Sequence, residues 1–127
     1  MTLAYISHAD CGRHDTGWNH PEHVGRLRAI PRALRNDVEL YLAVQHLEGR
    51  HATPDELALA HDPAYIARVQ ALAESGGGRV DADTVVSEGS WAAATAVRGA
   101  CSTASTWRWT AVRSAVSALF DRPVIMR

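Results

Sequence analysis

The chain has 127 residues, of which 46% are hydrophobic and 21% charged, a composition typical of one globular domain with a modest core. Its formal net charge is -1, which gives no electrostatic support for binding to nucleic acid or to an anionic membrane. All 13 basic residues are arginine. Together with the abundant alanine, this indicates a GC-rich coding sequence.

The number of cysteines indicates the redox state of the cellular compartment in which the protein resides. Cys11 and Cys101 are the two cysteines, and the N-terminus lacks a basic segment followed by an apolar run. Two thiols without such a segment are typical of a reducing environment. No stretch approaches the ~20 apolar residues of a membrane span. We therefore expect a cytoplasmic protein with neither a membrane nor a nucleic acid as partner, and the sequence leaves the oligomeric state open.

The first third of the chain predicts a strand, a polar loop, a helix and a second strand. Residues 3–6 (Leu-Ala-Tyr-Ile) are typical of a short buried strand. Apolar residues from Val24 to Leu34 recur at near-helical spacing, and Pro31 is expected to kink or end that helix. A second apolar run at residues 41–47 predicts another strand.

Three helix starts follow. Thr53 can cap a helix with Pro54 in its first turn, and Glu56 completes a capping box. Asp62 before a proline predicts a second helix, which the glycine run at residues 76–78 should end.

Ser90 can cap a third helix, from residue 91 to about residue 100. Strands that alternate with helices predict an α/β fold with a parallel sheet flanked by helices.

One metal-like pattern stands in the polar loop. Cys11-x-x-His14 and His20-x-x-His23 offer four ligand types that zinc accepts, but the two pairs lie closer together than in most structural zinc sites. The alternatives are a histidine-rich loop without metal and a small non-catalytic metal-binding or interaction module.

Seven short motifs follow one another along the chain. They are His14-Asp15-Thr16-Gly17, His20-Pro21-Glu22, residues 26–30, residues 54–57, residues 61–66, residues 80–84 and Ser90-Trp91. In this order they resemble the opening of bacterial histone-deacetylase-like proteins of the acetylpolyamine amidohydrolase and acetoin utilisation type. The resemblance covers about residues 3 to 100. Where His23-Val24 stand, the family usually has Arg-Pro.

The resemblance implies the N-terminal portion of the arginase–deacetylase fold and a set of substrate-channel residues. The loop that ends in His20, Pro21 and Glu22 would border the channel, and Arg26 would line the internal pocket where released acetate resides. Asp83 aligns best with a rim aspartate that accepts hydrogen bonds from the substrate backbone; Asp81 is the competing choice. No residue of this chain is assigned to the family's catalytic or metal-ligand positions.

The resemblance also implies a zinc-dependent hydrolase of acetyl-lysine, acetylpolyamine or a similar amide. The family's zinc ligands include an Asp-x-His motif, and its acid–base pair is His-His. Neither motif occurs in this sequence. We therefore expect no cofactor in this chain, zinc in the intact family, and a truncated, inactive family member.

Residues 101–127 form an atypical tail after a deacetylase-like region at residues 1–100. The family carries Arg-Pro-Pro-Gly-His-His-Ala near this point. GC-rich codons for that heptapeptide, read one base later, encode Asp-Arg-Pro-Val-Ile-Met and then Arg, as at residues 121–127. This predicts a shift of reading frame between about Gly99 and Thr106. The alternative is a natural, divergent helix built from Val112, Val116 and Leu119.

Overall fold

The computed structural model describes residues 3–21 and 23–120, and side chains up to residue 107. The elements, in chain order, are β1 (Leu3–Ser7), a 3₁₀ helix (Ala9–Arg13), α1 (Gly25–Asn36), α2 (Val38–Ala43), β2 (Val44–Glu48), α3 (Pro54–Ala58), α4 (Pro63–Glu74), β3 (Gly77–Arg79), β4 (Val85–Ser87) and α5 (Ser90–Phe120).

A parallel pair of strands is the centre of the fold, as the sequence predicts. β1 pairs with β2 in a register that places Leu3 opposite Val44 and Ser7 opposite Glu48. The connection between them contains α1 and α2, the helical crossover that parallel strands require. Because the strands are parallel, the segments that follow Ser7 and Glu48 emerge side by side.

The structure differs from the sequence prediction at two points of the first crossover. α1 runs through Pro31 to Asn36, because one missing N–H removes one backbone bond while the other turns keep theirs. The predicted strand at residues 41–47 begins only at Val44. The side chain of Asp37 accepts a hydrogen bond from the Leu40 N–H and thereby starts a helix, α2, ahead of it.

The two predicted helix starts at Thr53 and Asp62 are confirmed. The hydroxyl of Thr53 accepts from the Glu56 N–H while the Glu56 carboxylate accepts from the Thr53 N–H, which is a complete capping box. The Asp62 carboxylate accepts from the Ala64 N–H at the start of α4.

The glycine run does more than end a helix. α4 ends at Glu74, and the chain then turns with positive φ at Gly76 (99°) and Gly77 (96°) into β3, which pairs antiparallel with β4. A Cβ at residue 77 would meet the Val86 carbonyl oxygen. The hairpin therefore needs glycine at residue 77 both for the backbone angle and for the close approach.

α5 is far longer than predicted, since it continues from Ser90 to Phe120. The predicted end of this helix at about residue 100 is therefore wrong, and the division into residues 1–100 and 101–127 stays a prediction. Trp107 on this helix donates from Nε1 to the Gln45 side-chain oxygen at 3.1 Å, which ties α5 to β2. Residues 121–127 lie outside the described residues. The shift of reading frame stays a prediction, which the coding DNA read in its other frames tests.

Small residues form the core. The buried apolar residues among those described are Val44, Ala73, Val86, Ala93 and Ala96. Larger apolar side chains stay exposed, among them Leu42 at 78% and Leu59 at 80%. Small side chains on α5 allow the helix to lie close to the 3₁₀ helix and β1, which it contacts. No helix in the described ranges has the length and apolar character needed to cross a bilayer.

Candidate functional site

The loop after β1 is built from short-range hydrogen bonds. Gly17, with φ of 88°, donates its N–H to the Asp15 carboxylate at 2.9 Å. The Gly17 carbonyl then accepts from the His20 N–H, and the His20 carbonyl accepts from the His23 N–H. These consecutive turns deliver the chain to the start of α1 and place His20 and Pro21 on a structured corner.

Two long-range contacts hold this loop against the start of α5. His14 Nδ1 lies 2.6 Å from Ser90 Oγ, and the Asp15 N–H donates to Ser87 Oγ at 3.0 Å. Ser90 Oγ also accepts from the Ser87 N–H at 2.7 Å. The prediction that Ser90 caps the helix is therefore wrong: its hydroxyl bonds the preceding strand and the first loop instead.

A cavity of about 610 Å³ opens between α1, the end of β4 and α5. Arg26 lines it together with His14, His23 and Ser90. Valine, leucine and alanine side chains form much of the remaining wall. An apolar wall with two guanidinium groups, those of Arg26 and Arg98, a hydroxyl and imidazoles is the composition of a small-ligand pocket. Arg26 remains charged at any physiological pH, so the pocket favours an anionic group.

The turn between β3 and β4 distinguishes Asp81 from Asp83. The hydroxyl of Thr84 and the backbone N–H groups of Asp83 and Thr84 donate hydrogen bonds to the Asp81 carboxylate and lower its pKa to about 2. Asp81 thus uses its carboxylate to hold its own turn. Asp83 is exposed at the same turn, which leaves it the better placed of the two to meet a ligand from solvent.

The structure assembles the predicted channel residues only in part. Arg26 lines the cavity, whereas its described lining includes neither His20, Pro21 nor Asp83. His20 is half-buried and Pro21 exposed. Glu22 lies outside the described residues.

The zinc-module alternative gains no support from the geometry. Cys11, His14 and His23 line the same cavity. Even so, within residues 3–21 and 23–107 neither these side chains nor His20 belong to a three-residue group with ligand atoms close enough for a metal ion. Cys11 and Cys101 are both free thiols and line this cavity too.

Sequence reasoning missed a different group of side chains. His8, Asp10 and His51 place one ligand atom each within 4.8 Å of one another. His8 follows β1 and His51 follows β2, so the parallel pairing of two distant strands creates the cluster. The signal available in the sequence was a histidine shortly after each of two predicted strands.

Three comparisons place this geometry among known proteins. The family model for the histone deacetylase domain matches residues 20–123. The uncharacterized protein slr0245 of Synechocystis sp. is 39% identical over 95 residues, covering 70% of this chain and 30% of that protein. The crystal structure of the HDA15 HD domain superposes with a TM-score of 0.71 at 23% identity, covering 79% of this chain and 30% of that one.

These matches confirm the predicted α/β fold of the deacetylase type, with a parallel sheet and helices. The chain spans about 30% of the length of the relatives that it matches.

Proposed function

Since the chain belongs to the histone deacetylase family, we propose that it forms the entrance of a deacetylase substrate channel and does not itself hydrolyse amides. The family is zinc-dependent in general and acts on acetylated substrates. In this proposal the first loop and the β3–β4 turn position a substrate, and the cavity beside Arg26 receives the small anion that deacetylation releases.

The anchoring of the first loop carries this proposal. His14 and Asp15 bond Ser90 and Ser87, so the loop that holds His20 and Pro21 keeps a defined position beside the cavity. The guanidinium groups of Arg26 and Arg98 in an otherwise largely apolar wall suit a carboxylate such as acetate, because a carboxylate matches their planar donors.

The residues present do not fit the family's catalytic zinc. The sequence contains neither Asp-x-His nor His-His, and the metal-like group that the described side chains form, His8, Asp10 and His51, is not that motif. We therefore assign no hydrolytic step to this chain. Its contribution is to bind and orient.

We propose the substrate class from the family: acetylated lysine, an acetylated polyamine or a similar amide. Asp83 would accept hydrogen bonds from substrate N–H groups at the channel rim. His20, Pro21 and Glu22 would border the opening. Two free thiols, Cys11 and Cys101, support a cytoplasmic location.

An amide-hydrolysis assay tests the absence of catalysis. The purified chain, supplied with zinc and an acetyl-lysine peptide, should release acetate no faster than buffer with zinc. Turnover above that background that co-purifies with the chain would contradict the proposal.

A titration tests the binding roles separately. Acetate added to the ¹⁵N-labelled chain should shift amide signals around the Arg26 cavity, and Arg26→Gln should abolish those shifts. Arg32→Gln is the matched control, because Arg32 lies on the same helix and does not line this cavity. Equal shifts in both variants would remove Arg26 from the site.

The rim aspartate has its own test. An acetyl-lysine peptide should perturb the amides of the β3–β4 turn, and Asp83→Asn should weaken this effect. Asp55→Asn, an exposed aspartate in the first turn of α3, is the control. An unchanged response in Asp83→Asn would exclude this residue from peptide binding.

A further inference from the structure

The cluster of His8, Asp10 and His51 lies where the carboxyl ends of β1 and β2 meet. The Gly49 N–H donates to the Ser7 carbonyl at 2.8 Å and extends the strand pairing beyond the sheet. His8 and His51 consequently leave the two strands side by side, with ring centroids 4.6 Å apart. Asp10, in the 3₁₀ helix, faces both rings: its Oδ2 lies 3.0 Å from His51 Nε2 and 3.9 Å from His8 Nδ1.

Polar contacts hold both nitrogens of the His51 ring in place. Nδ1 lies 2.8 Å from Thr95 Oγ1, and Nε2 lies 3.0 Å from Asp10 Oδ2. Thr95 Oγ1 is itself held near the Trp91 and Ala92 carbonyls, at 3.1 and 3.0 Å. The ring is therefore oriented between α5 and Asp10.

The contact between His51 and Asp10 also suits a metal ion. Nε2 of His51 and Oδ2 of Asp10 lie 3.0 Å apart, as hydrogen-bond partners do. Imidazole nitrogens and carboxylate oxygens are also metal ligands, and each of the three side chains brings one such atom within 4.8 Å of the other two. A metal ion can therefore take the place of the hydrogen shared by Nε2 and Oδ2.

Further features favour the metal ion. His8 adds a second imidazole whose Nδ1 accepts from the Asp10 N–H, which fixes the ring at the edge of the cluster. The buried Thr95 hydroxyl orients His51 as outer partners orient metal-binding histidines. His51 is 44% exposed and Asp10 26% exposed at their side chains, so an ion can reach the site from solvent.

We propose that His8, Asp10 and His51 bind a divalent transition-metal ion of the Zn²⁺ class. Two imidazoles and one carboxylate are a donor set that such ions accept, with the remaining coordination positions left to water. Binding draws Nε2 of His51 and Oδ2 of Asp10 onto the ion and joins the first loop, the segment after β2 and α5 through His51 and Thr95. The site lies apart from the Arg26 cavity, whose described lining includes none of the three ligands.

Zinc titration of the full chain tests the proposal. After treatment with a chelator, the wild type should take up one equivalent of Zn²⁺ by calorimetry at pH 7.5. Its midpoint of thermal unfolding should rise with zinc, because an ion that binds only the folded chain stabilises it. Asp10→Asn and His51→Ala should each weaken binding at least tenfold and remove the zinc-dependent rise. Thr95→Val should weaken binding about 10- to 100-fold, as loss of an outer partner does.

A matched histidine variant serves as the control. His61→Ala removes a histidine outside the cluster and should bind zinc as the wild type does. Circular dichroism identifies variants that do not fold, and Asp10→Asn, which keeps the side-chain shape, is the decisive variant in that case.

Three results would overturn the proposal. The first is no zinc uptake by the folded wild type. The second is uptake that Asp10→Asn and His51→Ala leave unchanged. The third is an NMR spectrum in which His51 holds hydrogens on both nitrogens at pH 7.5 while zinc is present in excess, since a proton would then occupy the place assigned to the metal. None of these results bears on the acetate and peptide titrations of the channel residues.

Discussion

His14 Nδ1 and Ser90 Oγ lie 2.6 Å apart although 76 residues separate them in the chain. Ser90 is buried at 8% exposure, so the bond forms away from most of the solvent. It joins the first loop to the start of the longest helix. Together with the hydrogen bond from the Asp15 N–H to Ser87 Oγ, it fixes the geometry of the proposed channel entrance.

A double-mutant cycle measures this contact. We expect Ser90→Ala to lower the free energy of unfolding by about 1–3 kcal/mol, because it removes the group that both His14 Nδ1 and the Ser87 N–H contact. His14→Ala should cost less, because Ser90 Oγ keeps its hydrogen bond from the Ser87 N–H. The double variant should show a coupling of about 0.5–1.5 kcal/mol in urea denaturation. His46→Ala, at an exposed position on β2, is the comparison. Strictly additive effects would mean that the contact contributes nothing.

The glycine turn before β3 allows a test of backbone strain against steric conflict. Gly76→Ala should cost about 1–2 kcal/mol, because φ is positive there but the space around a Cβ is open. Gly77→Ala should cost clearly more, since the new methyl group also meets the Val86 carbonyl. Thermal unfolding of the two variants ranks them, and a milder effect at residue 77 would contradict the hairpin register.

Asp81 should make stability depend on acid pH. Its folded pKa of about 2 lies below the ordinary value of 3.8. The unfolded chain therefore binds a proton first, and the stabilising effect is fully present above about pH 4 and lost as the pH falls towards 2. Asp81→Asn should lower the midpoint of unfolding at pH 7 and flatten its decline between pH 4 and pH 2. A decline as steep as that of the wild type would assign the acid sensitivity to other carboxyl groups.

Two substitutions at Thr53 test the capping box at the start of α3. Thr53→Ala should reduce the free energy of unfolding by about 1 kcal/mol, because the Glu56 N–H loses its acceptor. Thr53→Ser keeps the hydroxyl and should remain close to the wild type. If serine and alanine behave alike in urea denaturation, the lost methyl group rather than the cap explains the change.

Gly99 should control how closely α5 packs on the segment that carries His51. A Cβ there would overlap the Arg50 carbonyl and the backbone of His51 and Ala52. Gly99→Ala should destabilise the chain by about 1–3 kcal/mol through overpacking. In Gly12→Ala the nearest atom would be 4.0 Å from the new methyl group, so this control should change stability much less.

Helix starts could be predicted here because they depend on near neighbours. Thr53 and Asp62 bond backbone N–H groups two or three residues ahead, and such contacts form within any chain that carries these residues. The second strand begins later than its apolar run predicts for an equally local reason. Asp37 caps α2, and this helix takes up Tyr41 and its neighbours.

The amino-acid sequence alone predicts the α/β class. Its ordered motifs between residues 3 and 100 also predict the family. Only the tertiary structure decided that His14 meets Ser90, that Arg26 faces a cavity, and that His8 and His51 converge on Asp10. The physical reason is the distance along the chain. A few adjacent residues determine caps and turns, whereas these long-range contacts require the parallel register of β1 and β2 and the close packing of α5.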